Sequence, residues 1–232
     1  MKPELRRIGN SQSPVVVIDE FSGELDRILE IAEELAPYPA DVTYYPGLRR
    51  VITSADKVAD SYVVESCRRA GQFIAGAFDM ESFDLLEASF SIVTTPPSAL
   101  SPPQRAPHFD TTDQNHLALL HYLRVPSGSG TAFYRHRASE IERVTEANLE
   151  QFVRAAKADA ARLPPQAGYI HGPNQFFEQI GAVEAIPDRL IIYQGSLLHS
   201  GIIPPDMSFS SDPRGGRLTG NLFIRGHRGD SA

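Results

Sequence analysis

The sequence predicts an α+β domain whose core is a β-sandwich or jelly roll. Two helical segments come first and short strands at irregular spacing dominate afterwards, an order that suits strands closing around a site. The chain has 232 residues, 41% of them apolar, which is enough for one core. It reads as a single domain over residues 1–232, with 1–95 supporting a jelly-roll core at 108–226.

Each element has a local cause. Pro14 to Phe21 is short and β-branched and predicts a strand. Ser22 then caps a helix from Gly23 to Leu35, with Leu25, Ile28, Leu29, Ala32 and Leu35 on one face and Pro37 and Pro39 ending it. A second amphipathic helix covers 57–77, with Val58, Val63, Val64, Cys67 and Phe73 among its apolar positions. Leu85 to Thr94 returns to strand character. The proline-rich run 95–107 continues neither helix nor sheet, and its place just before His108 suggests a loop over a site. Strands are expected at 117–124, 131–136, 189–193, 197–203 and 217–225, and a helix at 146–163. The Pro-, Ser-, Asp- and Gly-rich segment 204–216 reads as a mobile loop.

Composition excludes several functions. A net charge of −7 and a pI near 5.5 argue against nucleic acid as a general partner. No apolar run reaches membrane-spanning length, and the N-terminus carries no apolar stretch typical of a signal peptide. The single cysteine, Cys67, forms no internal disulfide and reads as a plain structural thiol in a helix. A reducing, cytoplasmic setting is therefore expected.

The informative residues lie in the second half. His108-Phe109-Asp110 places an imidazole and a carboxylate two residues apart, so on extended backbone both point to one face. A chain with seven histidines carries such a motif by chance fairly often, so its company matters. His199 follows within a Gly-Ser-Leu-Leu-His-Ser-Gly strand, and Arg217 and Thr219 share a face of the next. Two imidazoles and one carboxylate leave open positions on a ferrous ion, whereas thiolates would favour zinc or clusters. Arg217 faces inward on a strand otherwise built from Leu218, Leu222, Phe223 and Ile224, so it needs an anionic partner. That partner is either a core carboxylate or the carboxylate of a bound diacid.

In this order, His108, Asp110, His199 and Arg217 resemble the Fe(II)/2-oxoglutarate-dependent dioxygenases, and within them the prolyl-hydroxylase-like branch. The match covers His108 to Ile224, and the Val15-to-Leu35 opening is also similar. The resemblance implies a double-stranded β-helix with the N-terminal helices packed outside. It implies that His108, Asp110 and His199 bind Fe(II), and that Arg217 holds the C5 carboxylate of 2-oxoglutarate. Tyr122 and Thr219 become further donors to that carboxylate, and Phe133 packs against the co-substrate. The interval from His199 to Arg217 is 18 residues (217 − 199), longer than is usual, which leaves Arg214 and Arg225 as fallback clamps. The implied reaction consumes O2 and 2-oxoglutarate, releases succinate and CO2, and hydroxylates a small, amino-acid-like metabolite. With Asp110 present, halogenation is not expected. A peptide side chain is the alternative substrate, and a non-catalytic metal- or ligand-binding jelly roll the alternative function. The oligomeric state stays open, a homodimer among the options.

Other residues are weighed on local grounds. Arg135 shares a face with Thr131 and Phe133 and meets either an anionic substrate group or a carboxylate of the fold. Asn115, with Asp113 and Gln114, follows the metal motif and is a candidate substrate contact. Tyr45, in the polar-aromatic stretch 44–50, either touches substrate or belongs to a surface turn. His116 and His121 read as structural, and His171-Gly172-Pro173-Asn174 and His227 have no constellation around them.

Overall fold

The structure, a computed structural model, describes residues 1–41, 44–160, 162, 164 and 168–229. In chain order its strands are β1 (Lys2–Ile8), β2 (Ser13–Asp19), β3 (Gly47–Val51), β4 (Ser82–Val93), β5 (His116–Arg124), β6 (Gly130–His136), β7 (Phe177–Glu184), β8 (Arg189–Gln194), β9 (His199–Ile202) and β10 (Arg217–His227). Its helices are α1 (Leu25–Glu34), α2 (Lys57–Phe78) and α3 (Leu149–Ala160). One antiparallel sheet has the order β1-β2-β8-β5-β10-β4-β3, the other β7-β6-β9.

Period-two alternation sends each strand of the large sheet in two directions. Leu117, Leu119, Leu190, Ile192, Leu218 and Leu222 cluster with Ile28, Ile31, Tyr62, Val63 and Ile74 of α1 and α2. Ala118, Tyr122, Ile191 and Tyr193 instead join Phe133, Val183 and Leu197 between the two sheets. A third cluster joins the reverse side of the small sheet to α3 through Ala132, Tyr134, Phe177, Leu198 and Phe152. No described helix is long and apolar enough to cross a membrane.

Several expectations change. Ser22 is not the N-cap of α1; that position is Glu24, which caps with no side chain. Asp188 draws the Ser22 hydroxyl away, at 2.5 Å, and the same oxygen accepts the Glu24 N–H. Val58 and Val64 are exposed, at 53% and 61%, because α2 presents Ala59, Tyr62, Val63 and Ser66 to the sheet instead. The end of the helix expected at 146–163 falls partly outside the described residues. Tyr44 to Arg50 is not all loop, since Gly47–Val51 pairs with β4 from Gly47↔Val93 to Val51↔Ser89. Only glycine permits that approach: a Cβ at Gly47 would stand 2.0 Å from the Ile92 carbonyl oxygen. Loop 95–107 carries two 3-10 turns, Pro97–Ala99 and Pro102–Arg105. It packs through Leu100 onto Tyr169 and Ile203, and Met207 and Phe209 of segment 204–216 join the same cluster.

Candidate functional site

The backbone brings His108 to His199 directly. The two residues exchange backbone hydrogen bonds of 2.9 and 2.8 Å, so the segment after the proline loop adds one bridge to the start of β9. The Asp110 N–H donates to the Gly195 carbonyl at 2.7 Å, fixing the carboxylate beside them. His108, Asp110 and His199 each offer a ligand atom, all within 4.8 Å of one another. Asp110 Oδ1 stands 3.9 Å from His108 Nε2 and 3.7 Å from His199 Nε2.

The electronics of this cluster suit a cation. His199 Nδ1 lies 2.7 Å from the Leu197 carbonyl, an oxygen that only accepts, so Nδ1 carries the proton and Nε2 is a free lone pair. Burial pushes the His199 imidazole down to about 4, so it is neutral at pH 7. His108 is held down to about 4 too, first by the protein around it and then by His199, although 58% of its side chain is accessible. Burial pushes the Asp110 carboxyl up, while His108, His116 and Arg49 pull it back. No described residue donates a hydrogen bond to the Asp110 carboxylate, an acceptor-only group that a cation would satisfy. Two neutral imidazoles and one carboxylate, with no thiolate, fit a ferrous ion.

Gly195 makes the close packing possible. A Cβ there would meet His116 Nδ1 at 2.5 Å and Asp110 Oδ2 at 3.0 Å. His116 is thus not remote from the cluster, as its structural reading implied. It stacks on Phe223 at 5.5 Å and its buried Nδ1 has no partner. His121 does fit that reading: it points away, bonded to Tyr62 and, at 3.0 Å, to Asp188.

Arg217 enters the space between the sheets from the start of β10. It is 5% exposed, and its Nε donates to Ser129 Oγ at 3.0 Å. Among the described residues no carboxylate reaches ion-pair distance of it. Tyr122 is fully buried beside it, the guanidinium 5.9 Å from the ring and the Tyr122 hydroxyl 2.7 Å from Thr131 Oγ1. Thr219 is inward and donates to Asn221 at 3.3 Å. Phe133 is buried, pairs across the ladder with His199 and meets Tyr193 edge-on at 5.4 Å. The two fallback arginines are engaged elsewhere, Arg214 with Glu33 at 3.0 Å and Arg225 with Asp113 at 2.8 Å.

The remaining candidates divide. Arg135 leaves the site: it binds Glu178 at 2.8 Å and lies 3.6 Å from Glu142 and 3.8 Å from Glu140. The Asn115 N–H and carbonyl are both used, on Asp113 and Gly226, which fixes the residue just before β5. Tyr45 turns inward. It packs with Val93 and Leu100, feels Arg217 and Arg49, and hydrogen-bonds Ser91. Tyr193 was missed. It is 4% exposed, lies edge-on to His199 at 4.8 Å and feels both Asp110 and Arg217. Its signal was the alternation of β8, which puts Ile191 and Tyr193 on the inner face. Arg49, within the stretch 44–50 weighed as a substrate contact or surface turn, sits 5.5 Å over the Phe223 ring and pairs with Glu87.

Solved structures share this architecture at low identity. The non-heme α-ketoglutarate-dependent epimerase SnoN from nogalamycin biosynthesis is 13% identical, over 94% of this chain and 81% of that one, with a TM-score of 0.56. HygX from Streptomyces hygroscopicus, crystallised with nickel, 2-oxoglutarate and hygromycin B, is 12% identical over 92% and 83%, with a TM-score of 0.53. The viral collagen prolyl hydroxylase of Paramecium Bursaria Chlorella virus-1, in its 2-oxoglutarate complex, is 12% identical over 91% and 96%, with a TM-score of 0.50. The fold is therefore the jelly roll of the 2-oxoglutarate-dependent oxygenases, in agreement with the resemblance read in the sequence. No curated protein sequence matches the chain. Residues 1–224 match the model of a family described as of unknown function, DUF6445, and the chain belongs to that family.

Proposed function

We propose that this protein is an Fe(II)/2-oxoglutarate-dependent oxygenase that hydroxylates a small polar metabolite, with 1–232 acting as one functional unit. One observation carries the reading. Three metal-ligand atoms converge within 4.8 Å, and a buried arginine that has no carboxylate partner among the described residues acts on the same Tyr193 hydroxyl as Asp110 does. A buried guanidinium left without an anion is costly, and a bound diacid removes that cost.

His108, Asp110 and His199 would hold the metal. The ion, when bound with 2-oxoglutarate, supplies the oxygen chemistry that ends in succinate and CO2. The protein's own part is positional. Arg217 would donate to the distal carboxylate, while Tyr122 and Thr131 share one hydroxyl pair that can turn a donor toward it. Phe133 and Tyr193 wall the chamber between metal and clamp, excluding water from the reacting end. The Leu197 carbonyl fixes the His199 tautomer, and Gly195 lets Asp110 and His116 pack side by side. Arg49, Glu87, Asn221 and Phe223 line the inner face beyond Asp110, which suits a substrate with hydrogen-bonding groups. A cytoplasmic location and a small-molecule partner accord with this reading.

The test is succinate release from 2-oxoglutarate by anaerobically iron-loaded protein after oxygen is admitted. Turnover is expected in the wild type and lost in His199→Ala. Equal turnover in both would remove the ligand assignment.

A further inference from the structure

A second set of donors opens at the metal end of the fold and takes no part in the cluster described above. Arg105 lies three residues ahead of His108. Its Nη2 donates to the Leu100 carbonyl at 2.5 Å, but its Nε is buried with no partner. Among the described residues no carboxylate pairs with it. Across from it stand Tyr169, His171, Asn174 and Gln175, around a cavity of about 410 Å³. Asn174 uses its side-chain oxygen on the N–H groups of Phe176 and Phe177, both at 2.8 Å. Its amide nitrogen, two further donors, has no partner among the described residues. Among the described residues no acidic side chain lines this cavity, in a chain whose net charge is −7.

The position ties the cavity to the metal cluster. Phe177, which follows the Asn174 turn, opens β7 opposite His136. Phe133, three residues earlier on β6, is the ladder partner of His199. Arg105 belongs to the segment that delivers His108. Tyr169 on the cavity wall feels Arg217 and Tyr45, so the cavity and the clamp share one region of the fold.

We propose that this cavity binds an oxyanionic group, carboxylate or phosphate, of the molecule oxidised at the metal cluster, with Arg105 as the anchor and the Asn174 amide as the second donor. Charge-assisted hydrogen bonds to a planar guanidinium are strong and directional. The word "oxidised" rests on the oxygenase reading; the anion site does not.

The test is a titration of the metal-free full-length protein with inorganic phosphate, followed by phosphorus NMR, and with acetate by competition. Wild type is expected to bind. Arg105→Gln and Asn174→Asp each weaken phosphate at least tenfold, Arg105→Lys keeps part of the affinity, and Arg217→Gln leaves it unchanged. Circular dichroism of each variant establishes that it is folded. Weaker competition by acetate than by phosphate assigns the site to phosphate esters, and equal competition to carboxylates. No phosphate binding by wild type, equal binding by Arg105→Gln, or loss of binding with Arg217→Gln overturns the proposal. Absence of 2-oxoglutarate turnover in iron-loaded wild type would instead end the oxygenase reading and leave the phosphate result to stand alone.

Discussion

The inner face of the seven-stranded sheet has two halves of opposite character. Over β2, β8 and β5 it carries Val15, Val17, Ile191, Ala118 and Leu120, packed under the small sheet. Over β10, β4 and β3 it carries Arg217, Thr219, Asn221, Ser91, Ser89, Arg49 and Glu87, joined by Arg49–Ser89, Asn221–Ser91 and Thr219–Asn221 hydrogen bonds. The same pleat and the same register serve both. The apolar half stabilises the fold; burying polar groups in the other gains little, since each must first recover the water it loses. Tyr122 and Tyr193 stand on the seam, and the metal-ligand cluster faces the polar side. A fold that wanted only stability would have continued the valines across the sheet.

Breaking the apolar half should give the largest effect on stability. Ile191→Ala is expected to lose about 2–5 kcal/mol in urea unfolding, the cost of a buried cavity. A loss within error would mean that the inter-sheet core is not where the fold is held.

On the reverse face the sheet buries one charged network, and it sharpens the contrast because every group in it is satisfied. Asp188 accepts from the Ser22 and Gly23 N–H groups, the Ser22 hydroxyl and His121. Although burial raises its pKa, these hydrogen bonds, His121 first, win and hold the carboxyl well below the usual aspartate range. A depressed carboxyl contributes stability above its unfolded-state value, and that stability disappears as pH falls through the folded-state value. Asp188→Asn should therefore cost about 3 kcal/mol at neutral pH and flatten the acid limb of the stability profile. An unchanged acid limb would show that other carboxylates govern it.

In the polar half the signs reverse. Arg217→Met should weaken 2-oxoglutarate by roughly ten- to a hundredfold, the worth of a charged hydrogen-bonded pair. It should leave stability unchanged or raised, since an unpaired buried charge is removed. A large loss of stability would make Arg217 structural. Gly195→Ala presses on His116 and Asp110 and should lower metal affinity about tenfold with little change in folding, read by competition with a metallochromic dye. Asn221→Ala should have the smallest effect, about 1 kcal/mol of stability from one broken hydrogen-bonded link, read by thermal unfolding.

The same contrast explains what was readable in the sequence. Period-two apolar runs such as 189–193 and 217–225 announce themselves, and so does the ligand triad, because its chemistry is unusual and its spacing fixed. Edge and half-exposed strands do not. β1 is charge-rich, β7 contains Gly181 and is mostly half-buried, and β3 opens on a glycine after a tyrosine pair and a proline that look like turn chemistry. Their pairing is a tertiary decision that local pattern does not carry. Arg135 shows the limit on side chains. Its face was read from its own strand, but its partners, Glu140, Glu142 and Glu178, come from other segments. Tyr193 escaped notice because it belongs to no short motif; only the register of β8 brings it to the metal ligands.

A metal and a diacid should bind together, the metal on the triad and the diacid between it and Arg217. Equilibrium binding of 2-oxoglutarate under anaerobic conditions, with and without Fe(II), tests it most directly. Tight binding should require the metal and should fall in both His199→Ala and Arg217→Met. Binding that is indifferent to the metal, or equally tight in both variants, would contradict it.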